Sequence, residues 1–327
     1  MRTRKLGSTG LDVSEIGIGT WGLGGDLWKD VDPRDAQKAL RAALDGGVTF
    51  VDTALFYGAG TAEELVGEVI RDLGARDWAV VATKIPPVGN KFPAKPGTKL
   101  EDAYPTDYIQ EQVETSLRNL KAEVLRLEQL HVWLDEWLDD PAWPKVRGTM
   151  ERMVKEGKVL HWGISLNAHD AASGVRACAE PTIEAVQVIF NIFEQSAKGE
   201  LFAAATKNQV GLIARCPFDE GALTGKLEPG MEFPKGDIRR WYFREDRLDE
   251  LADKLGPIRE LLGDYARSLP ELALRFAVHP PAIATAIPGM RRPDHVAQNL
   301  ECGQAPALPE EVLARLAELA WDKNWYR

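Results

Sequence analysis

Short apolar segments alternate with amphipathic segments along this chain, and this alternation restricts its fold more strongly than any other feature. The apolar segments are rich in branched and aromatic residues, whereas the amphipathic ones show helical spacing and capping residues. Because a short crossover requires the strands it joins to run parallel, the alternation predicts a parallel sheet with right-handed connections. The predicted strands are residues 15–19, 49–52, 78–84, 127–133, 161–166, 185–191, 211–217 and 283–288.

Eight strand–helix units without a linker, in a chain of 327 residues, predict one α/β domain that folds as a closed (β/α)8 TIM barrel. Alternating residues on both sides of a glycine-rich turn at 7–10 add an N-terminal β-hairpin over residues 3–18. Extra helices are predicted at the C-terminus. The predicted helices lie near residues 32–46, 62–73, 106–121, 142–156, 168–179, 194–207, 247–279, 293–301 and 309–322.

Three glycines suggest an alternative fold, because Gly17, Gly19 and Gly22 fit the G-x-G-x-x-G pattern of doubly wound dinucleotide-binding domains. That pattern requires a helix to begin at once, so that the helix N-terminus faces the pyrophosphate. Here the chain continues as a loop through Asp26, and the first helix cap is Asp32. The pattern therefore does not favour a doubly wound sheet.

The charge balance and the cysteines limit the possible partners and compartment. The chain has 40 basic and 50 acidic residues, and no cluster of Lys or Arg suggests a nucleic-acid surface. Cys178, Cys216 and Cys302 are far apart, as is common in a reducing cytosol. No apolar run approaches the ~20 residues that cross a bilayer, and the first residues do not resemble a signal peptide. We therefore predict a cytoplasmic protein that binds a small molecule, neither nucleic acid nor membrane, without a metal site.

Four ionisable residues are expected at the C-terminal ends of the barrel strands, where active sites of this fold lie. Asp52 ends the second strand, Lys84 ends the third, His131 is near the end of the fourth, and Tyr57 follows Asp52 in the next loop. A lone histidine is more often a hydrogen-bonded core residue. Together, however, a buried Lys84 needs the counter-charge of Asp52, and the cation is expected to lower the pKa of Tyr57. The set predicts acid–base chemistry.

Eight short motifs extend this pattern, and the chain resembles the aldo-keto reductase superfamily across nearly its whole length. Any one motif would be weak evidence, but eight in order at barrel spacing are strong. The motifs are residues 19–21, 52–58, 81–84, 129–131, 157–165, 187 with 191, 223–226 and 287–291.

The resemblance implies an NAD(P)H-dependent oxidoreductase that reduces aldehydes or ketones to alcohols. Tyr57 would protonate the carbonyl oxygen, Lys84 and Asp52 would support Tyr57, and His131 would orient the substrate. NADPH is the implied cofactor, and NAD is the less favoured one. The carboxamide of the bound cofactor would contact Ser165, Asn167 and Gln187. Its pyrophosphate would contact the loop 217–226, and its adenosine would contact the residues that follow the eighth strand. The implied cofactor contacts are Thr20, Trp21, Ser165, Asn167, Gln187, Pro217, Phe218, Gly221, Leu223, Gly225, Lys226, Gly289, Arg291, Arg292, His295, Gln298 and Asn299.

Departures from the family pattern concern cofactor contacts. Leu166 separates the Ser and Asn that are usually adjacent. Asp219 and Glu220 would repel a pyrophosphate unless a nearby cation, expected to be Lys226, Arg239 or Arg240, neutralises them.

Arg291 and Arg292 precede a helix N-terminus and could bind the 2′-phosphate that distinguishes NADPH from NADH. Alternatively, one arginine is solvated and the other pairs with Asp294.

Three questions remain open at this level. The chain could be an NAD-dependent sugar or alcohol dehydrogenase, or a slow-turnover NADPH-binding regulatory subunit, and it could be a monomer or a homo-oligomer. Loop 86–104 is the expected specificity element. The tail 321–327 could form a substrate wall or pack on the outside of the barrel.

Overall fold

A closed barrel of parallel strands lies at the centre of the computed structural model, which describes residues 1–25, 27–29 and 32–326. Within these residues, eight strands pair in parallel, each with its successor in the chain. The first also pairs with the last, because the N–H of Gly17 donates to the carbonyl of Ala286 over 2.8 Å. The predicted (β/α)8 barrel is confirmed. The strands are β1 (Thr3–Lys5) and β2 (Asp12–Ser14) of an antiparallel hairpin, then β3 (Ile18–Gly19), β4 (Phe50–Asp52), β5 (Val80–Ile85), β6 (Leu125–Trp133), β7 (Val159–Leu166), β8 (Ala185–Ile189), β9 (Gly211–Arg215) and β10 (Ile283–Ala286) of the barrel.

The hairpin and the barrel share one apolar cluster. Leu6 and Val13 of the hairpin are fully buried with Phe50, Leu127 and Ile213, which alternate with outward-facing residues on their strands. Burying each such side chain stabilises the fold by about 1.5–3 kcal/mol. The cluster therefore fills the end of the barrel that the hairpin covers. The opposite end, where the chain leaves β4, β5 and β6, stays open for a binding site.

Helices connect the strands, and their ends follow the capping signals of the sequence. Asp32 caps the first helix, since its Oδ1 accepts the N–H of Arg34 over 2.7 Å, and Pro33 holds the first helical position. The helices are α1 (Pro33–Asp45), α2 (Thr61–Asp72), α3 (Leu100–Ala103), α4 (Thr106–Asn119), α5 (Trp143–Lys155), α6 (Glu200–Asn208), α7 (Ile238–Tyr242), α8 (Arg247–Arg259), α9 (Leu269–Val278), α10 (Pro293–Cys302) and α11 (Glu310–Glu318).

The helix predicted over 168–179 is wrong. Two single 3₁₀ turns, Ala171–Gly174 and Ala177–Ala179, take its place. The carboxylate of Asp135 accepts the backbone N–H groups of Arg176 and Ala177 over 2.6 and 3.1 Å. A side chain from a distant part of the sequence therefore binds donors that would otherwise stabilise a continuous helix.

Two further helix predictions need correction. The segment 247–279 forms two helices, α8 and α9, because Gly263 adopts a positive φ of 91° and Ser268 caps α9 by accepting the N–H of Glu271. The helix predicted over 194–207 begins only at Glu200, after a 3₁₀ turn at Ser196–Lys198. The first error arises because a turn and a helix cap interrupt an apolar periodic pattern.

The doubly wound alternative is excluded. Gly19 is followed by a 3₁₀ turn at Trp21–Leu23, and α1 begins only at Pro33, so no helix N-terminus follows the glycine pattern directly. Asp26, in the predicted loop, lies outside the described residues. In the part of the chain that the structure describes, no helix has both the length and the apolar character needed to cross a membrane.

Candidate active site

Lys84 joins the acidic and phenolic side chains at the open end of the barrel. Its Nζ donates to Asp52 Oδ1 over 2.7 Å and to the Thr53 carbonyl over 2.7 Å, and it lies 3.3 Å from Tyr57 Oη. Asp52 ends β4, Lys84 is the penultimate residue of β5, and Tyr57 begins the 3₁₀ turn after β4. Adjacent parallel strands thus bring these three residues together, as the sequence predicts.

Burial dominates the ionisation of this cluster. It raises the pKa of Asp52 and lowers that of Lys84, while their mutual attraction opposes both shifts. Burial, followed by the negative charge of Asp52, raises the pKa of the Tyr57 phenol well above 10.0. The expectation that the nearby cation lowers the Tyr57 pKa is therefore wrong for this structure. The phenol keeps its proton throughout the neutral range and is available as a donor.

His131 lies on the other side of Tyr57, near the end of β6. The two ring centroids are 6.3 Å apart and nearly perpendicular, and the ring of Phe92 lies 4.9 Å from that of His131. Burial, and after it the charges of Lys84 and Arg215, lowers the pKa of His131 well below 6.5. A neutral imidazole can therefore donate one hydrogen bond into the cavity without carrying charge.

A cavity of about 1100 Å³ opens above these side chains. Three of the four predicted catalytic residues line it, since only Lys84 is covered by its neighbours. Of the predicted cofactor contacts, the lining includes Trp21, Asn167, Gln187, Pro217, Phe218, Gly221, Lys226, Gly289, Arg291, Arg292, His295, Gln298 and Asn299.

Four other predicted cofactor contacts do not line the cavity. Thr20 and Ser165 are fully buried, and neither hydroxyl has a hydrogen-bond partner among the described residues. Leu223 is fully buried in the apolar core, and Gly225 ends a 3₁₀ segment with a φ of 72°. The last two therefore shape the loop, whereas the two hydroxyls keep unused hydrogen-bonding capacity.

The three residues predicted to hold a carboxamide differ in their present partners. Gln187 Nε2 donates to Asp52 Oδ2 over 2.7 Å, so its amide supports the carboxylate. The Asn167 side chain binds the backbone of Ala94 twice, accepting its N–H over 3.1 Å and donating to its carbonyl over 3.0 Å. Asn167, which Leu166 separates from Ser165, thus anchors loop 86–104. Of the three side chains, only that of Ser165 has no hydrogen-bond partner among the described residues.

The acidic residues of the predicted pyrophosphate loop bind the C-terminal tail. Lys323 Nζ, in the C-terminal tail, pairs with Asp219 Oδ2 over 2.8 Å, and both side chains are only 3% exposed. Tyr326 donates a short hydrogen bond to Glu220. Arg239, one of the expected cations, pairs instead with Asp237 over 2.7 Å. The counter-charge for Asp219 therefore comes from Lys323 rather than from the predicted basic residues.

Arg291 and Arg292 have different surroundings. Arg292 pairs with Asp294 over 3.1 Å and contacts His295, as the alternative prediction for one arginine describes. Arg291 lies over the ring of Trp28, with its guanidinium carbon 5.0 Å from the ring centroid. Arg291 is therefore held in part by stacking on an aromatic ring, whereas Arg292 pairs with a carboxylate of α10.

Two chain segments form the walls of the cavity. Residues 92–96 of loop 86–104 line one side, in agreement with their predicted position at the site. Asn324 and Tyr326 of the tail line the other, while Trp325 is 93% buried against the barrel. The tail thus lies at the mouth of the barrel, as one of the two alternatives proposed; Arg327 lies outside the described residues.

Arg215, which the sequence analysis missed, also lines the cavity. It ends β9, its Nη2 donates to the Leu166 carbonyl over 3.1 Å, and its charge acts on Asp52, Tyr57 and His131. A cation that closes an apolar strand was the signal that identified Lys84. The same signal is present in Gly-Leu-Ile-Ala-Arg, residues 211–215.

Comparisons with known proteins agree with this fold. A model of the aldo/keto reductase family matches residues 15–320. The aldo-keto reductase YhdN of Bacillus subtilis (strain 168) is 30% identical over 315 residues, which span 95% of this chain and 88% of that protein. The holo form of the aldo-keto reductase AKR11C1 from Bacillus halodurans superposes with a TM-score of 0.76 at 26% identity, over 98% of this chain and 96% of that one. An aldo/keto reductase from Klebsiella pneumoniae, solved with NADP and acetate, gives a TM-score of 0.69 at 25% identity, over 98% and 95% of the two chains. Because the family model covers nearly the whole sequence, this protein belongs to the aldo/keto reductase family.

Proposed function

We propose that this protein is an NADPH-dependent reductase that converts aldehydes or ketones to alcohols. The observation that carries this proposal is the buried Lys84–Asp52 pair with Tyr57 Oη 3.3 Å from the ammonium, at the floor of a large cavity. An aldo/keto reductase of Klebsiella pneumoniae with the same fold holds NADP, which supports the choice of cofactor.

The residues around the cavity fit a nicotinamide dinucleotide. The Ser165 hydroxyl and His131 Nδ1 are buried without partners among the described residues, so polar groups are available near the four predicted catalytic residues. At the far end, a Cβ placed on Gly289 would meet no atom within 4 Å, which leaves room close to the backbone. Arg291 and the N-terminus of α10 lie beside this space and would favour a phosphate. When bound, NADPH would supply the hydride.

The chain's own residues would perform the proton chemistry. Tyr57 and neutral His131 would both donate to the substrate carbonyl oxygen, which fixes and polarises the carbonyl group. Tyr57 would then transfer its proton to that oxygen. The Lys84 ammonium would stabilise the phenolate that remains, and Asp52 would keep Lys84 charged and in place.

The substrate side of the cavity favours an apolar carbonyl compound. Trp21 lies 6.3 Å from the Tyr57 ring in a stacked arrangement, and Phe92 contacts both Phe56 and His131 at ring-centroid distances of 4.9 Å. Aromatic walls of this kind bind apolar groups and exclude water from the reacting atoms. We therefore propose aromatic or aliphatic aldehydes and ketones as the substrate class.

The decisive experiment compares the wild type with Tyr57→Phe in the NADPH-dependent reduction of 4-nitrobenzaldehyde. The variant keeps the ring but lacks the proton donor, so kcat should fall at least ~10²-fold while NADPH still binds. Tyr108→Phe is a matched control, because its hydroxyl donates to the Pro86 carbonyl over 3.0 Å rather than into the cavity. Equal turnover of Tyr57→Phe and the wild type would contradict the assignment.

The same assay distinguishes a catalyst from a regulatory NADPH-binding subunit. A catalyst oxidises many equivalents of NADPH per protein molecule at a steady rate. A single burst of about one equivalent, followed by no turnover with any aldehyde or ketone tested, would contradict the reductase proposal and favour the regulatory alternative.

A further inference from the structure

Arg215 places an unbalanced positive charge at the floor of the cavity. Its guanidinium donates to the Leu166 carbonyl and contacts Cys216 Sγ at 3.6 Å, and its Nε is buried without a partner among the described residues. Within the part of the chain that the structure describes, no carboxylate lies within ion-pair distance of it. A guanidinium remains charged at every relevant pH, so the charge is permanent.

Two other charged groups near the site are paired with neighbours. Lys84 is paired with Asp52, and Asp219 is paired with Lys323. Glu220 accepts hydrogen bonds from Tyr326 and Cys216, and burial raises its pKa, which favours its neutral form. Arg215 therefore carries a charge near the reacting atoms that no ion pair with a described residue offsets.

The position of Arg215 is close to the expected nicotinamide ring. The carbonyl it binds belongs to Leu166, which lies between the two residues predicted to approach the carboxamide. Its charge also acts on Tyr57 and His131, which would bind the substrate oxygen. Hydride transfer requires the donor and acceptor carbons to approach within about 3–3.5 Å, so the ring must lie beside these residues and beside Arg215.

We propose that Arg215 makes this protein bind the oxidised nicotinamide cofactor more weakly than the reduced one. The inference rests on the proposed function. The nicotinamide ring is cationic in NADP⁺ and neutral in NADPH, whereas the phosphates of the two forms are the same. Arg215 therefore repels only the oxidised ring.

The size of the effect follows from Coulomb's law. Two like charges about 8 Å apart, with an effective dielectric constant between about 20 and 40, change an equilibrium constant roughly 5- to 30-fold. Weaker binding of NADP⁺ would promote release of the oxidised product and limit its inhibition of the next cycle. Each tenfold difference in affinity also raises the reduction potential of the bound cofactor by about 30 mV.

The test is the ratio of the two dissociation constants, Kd for NADP⁺ divided by Kd for NADPH, measured by fluorescence titration or calorimetry. Arg215→Met removes the charge, so the ratio should fall roughly 5- to 30-fold from the wild-type value. Arg215→Lys keeps the charge and should keep most of the ratio. Lys226→Met is a matched control from the phosphate end of the cavity, and it should weaken both forms equally because they carry the same phosphates.

The outcomes separate this inference from the proposed function. If the wild type binds neither form of NADP(H), the proposed function fails. If it binds both, and Arg215→Met leaves the ratio unchanged, only the role of Arg215 is refuted. Should Arg215→Met not fold, Arg215→Gln removes the same charge and retains a donor for the Leu166 carbonyl.

Discussion

Replacing Lys323 by Met should release the C-terminal tail from the loop that follows β9. Lys323 Nζ donates to Asp219 Oδ2 over 2.8 Å and to Tyr242 Oη over 3.0 Å, and it lies 4.3 Å from the Trp325 ring centroid. The substitution would leave the Asp219 carboxylate buried without its cation. Removing one partner of a buried pair costs about 3–5 kcal/mol, which corresponds to roughly a 10²- to 5 × 10³-fold increase in the open state of the tail.

Two measurements check this prediction. Native-state hydrogen exchange of the backbone amides in residues 321–326 should become about 10²- to 5 × 10³-fold faster, because these amides exchange through local opening. The Kd for NADPH should rise as well, since Asp219 without its cation adds a negative charge to the loop expected to contact the pyrophosphate. Lys254→Met is the matched control: Lys254 is exposed and lies 5.5 Å from the Trp321 ring of the same tail, so its loss should cost below about 1 kcal/mol.

A double variant tests the physical reason for the effect. Lys323→Met combined with Asp219→Asn removes both charges, so it should recover most of the protection that the single variant loses. The reasoning would be refuted by equal exchange rates in Lys323→Met and Lys254→Met. A double variant as unprotected as Lys323→Met would show that packing of the lysine side chain, rather than the charge of Asp219, determines the loss.

Three further predictions concern the barrel and the cofactor. Glu128 is fully buried, and burial raises its pKa well above 4.5. It therefore keeps its proton in the folded state while the unfolded state ionises, and stability is lost as pH rises above about 4.3. Glu128→Gln should thus stabilise the protein increasingly with pH, by up to about 1.4 kcal/mol per unit, in urea unfolding at pH 4 and pH 7; a pH-independent difference would contradict this. Lys84→Met should reduce the free energy of unfolding by about 3–5 kcal/mol because Asp52 loses its partner. It should also lower kcat because the Tyr57 phenolate loses its nearest cation, and an unchanged kcat would argue against the role assigned to Lys84. Arg291→Ala should weaken NADPH binding by roughly 10- to 100-fold and leave NADH nearly unaffected in parallel titrations, and equal losses would show that Arg291 does not bind the 2′-phosphate.

The barrel could be predicted from the sequence because each strand–helix unit carries its own local signals. The apolar run of β5 and the Asp32–Pro33 start of α1 need no information from elsewhere in the chain. The helix predicted over 168–179 does not form, because the structure there depends on a distant residue rather than on local signals. There the backbone donors bind Asp135, a residue more than 40 positions away, and no local pattern records that contact.

In the candidate site, too, features set by neighbouring strands were predictable, whereas burial and long-range contacts were not. Asp52, Lys84 and Tyr57 were predictable because adjacent strands place their last residues side by side. The direction of the Tyr57 pKa was not, since residue types reveal neighbouring charges but not the extent of burial, which is the larger effect. The Lys323–Asp219 pair joins positions 104 apart, which only the folded tail brings together.

The bond between Asn167 and Ala94 has a consequence for exchanging loops between relatives. Asn167 binds only the backbone N–H and carbonyl at position 94, so it is insensitive to the side chain found there. A transplanted loop could therefore vary freely in composition. Its backbone N–H and carbonyl at the position of Ala94 must only remain within hydrogen-bond distance of the Asn167 side-chain amide. Loop length, rather than loop sequence, should decide which grafts between β5 and α4 remain anchored, and libraries that diversify substrate choice can be built on that constraint.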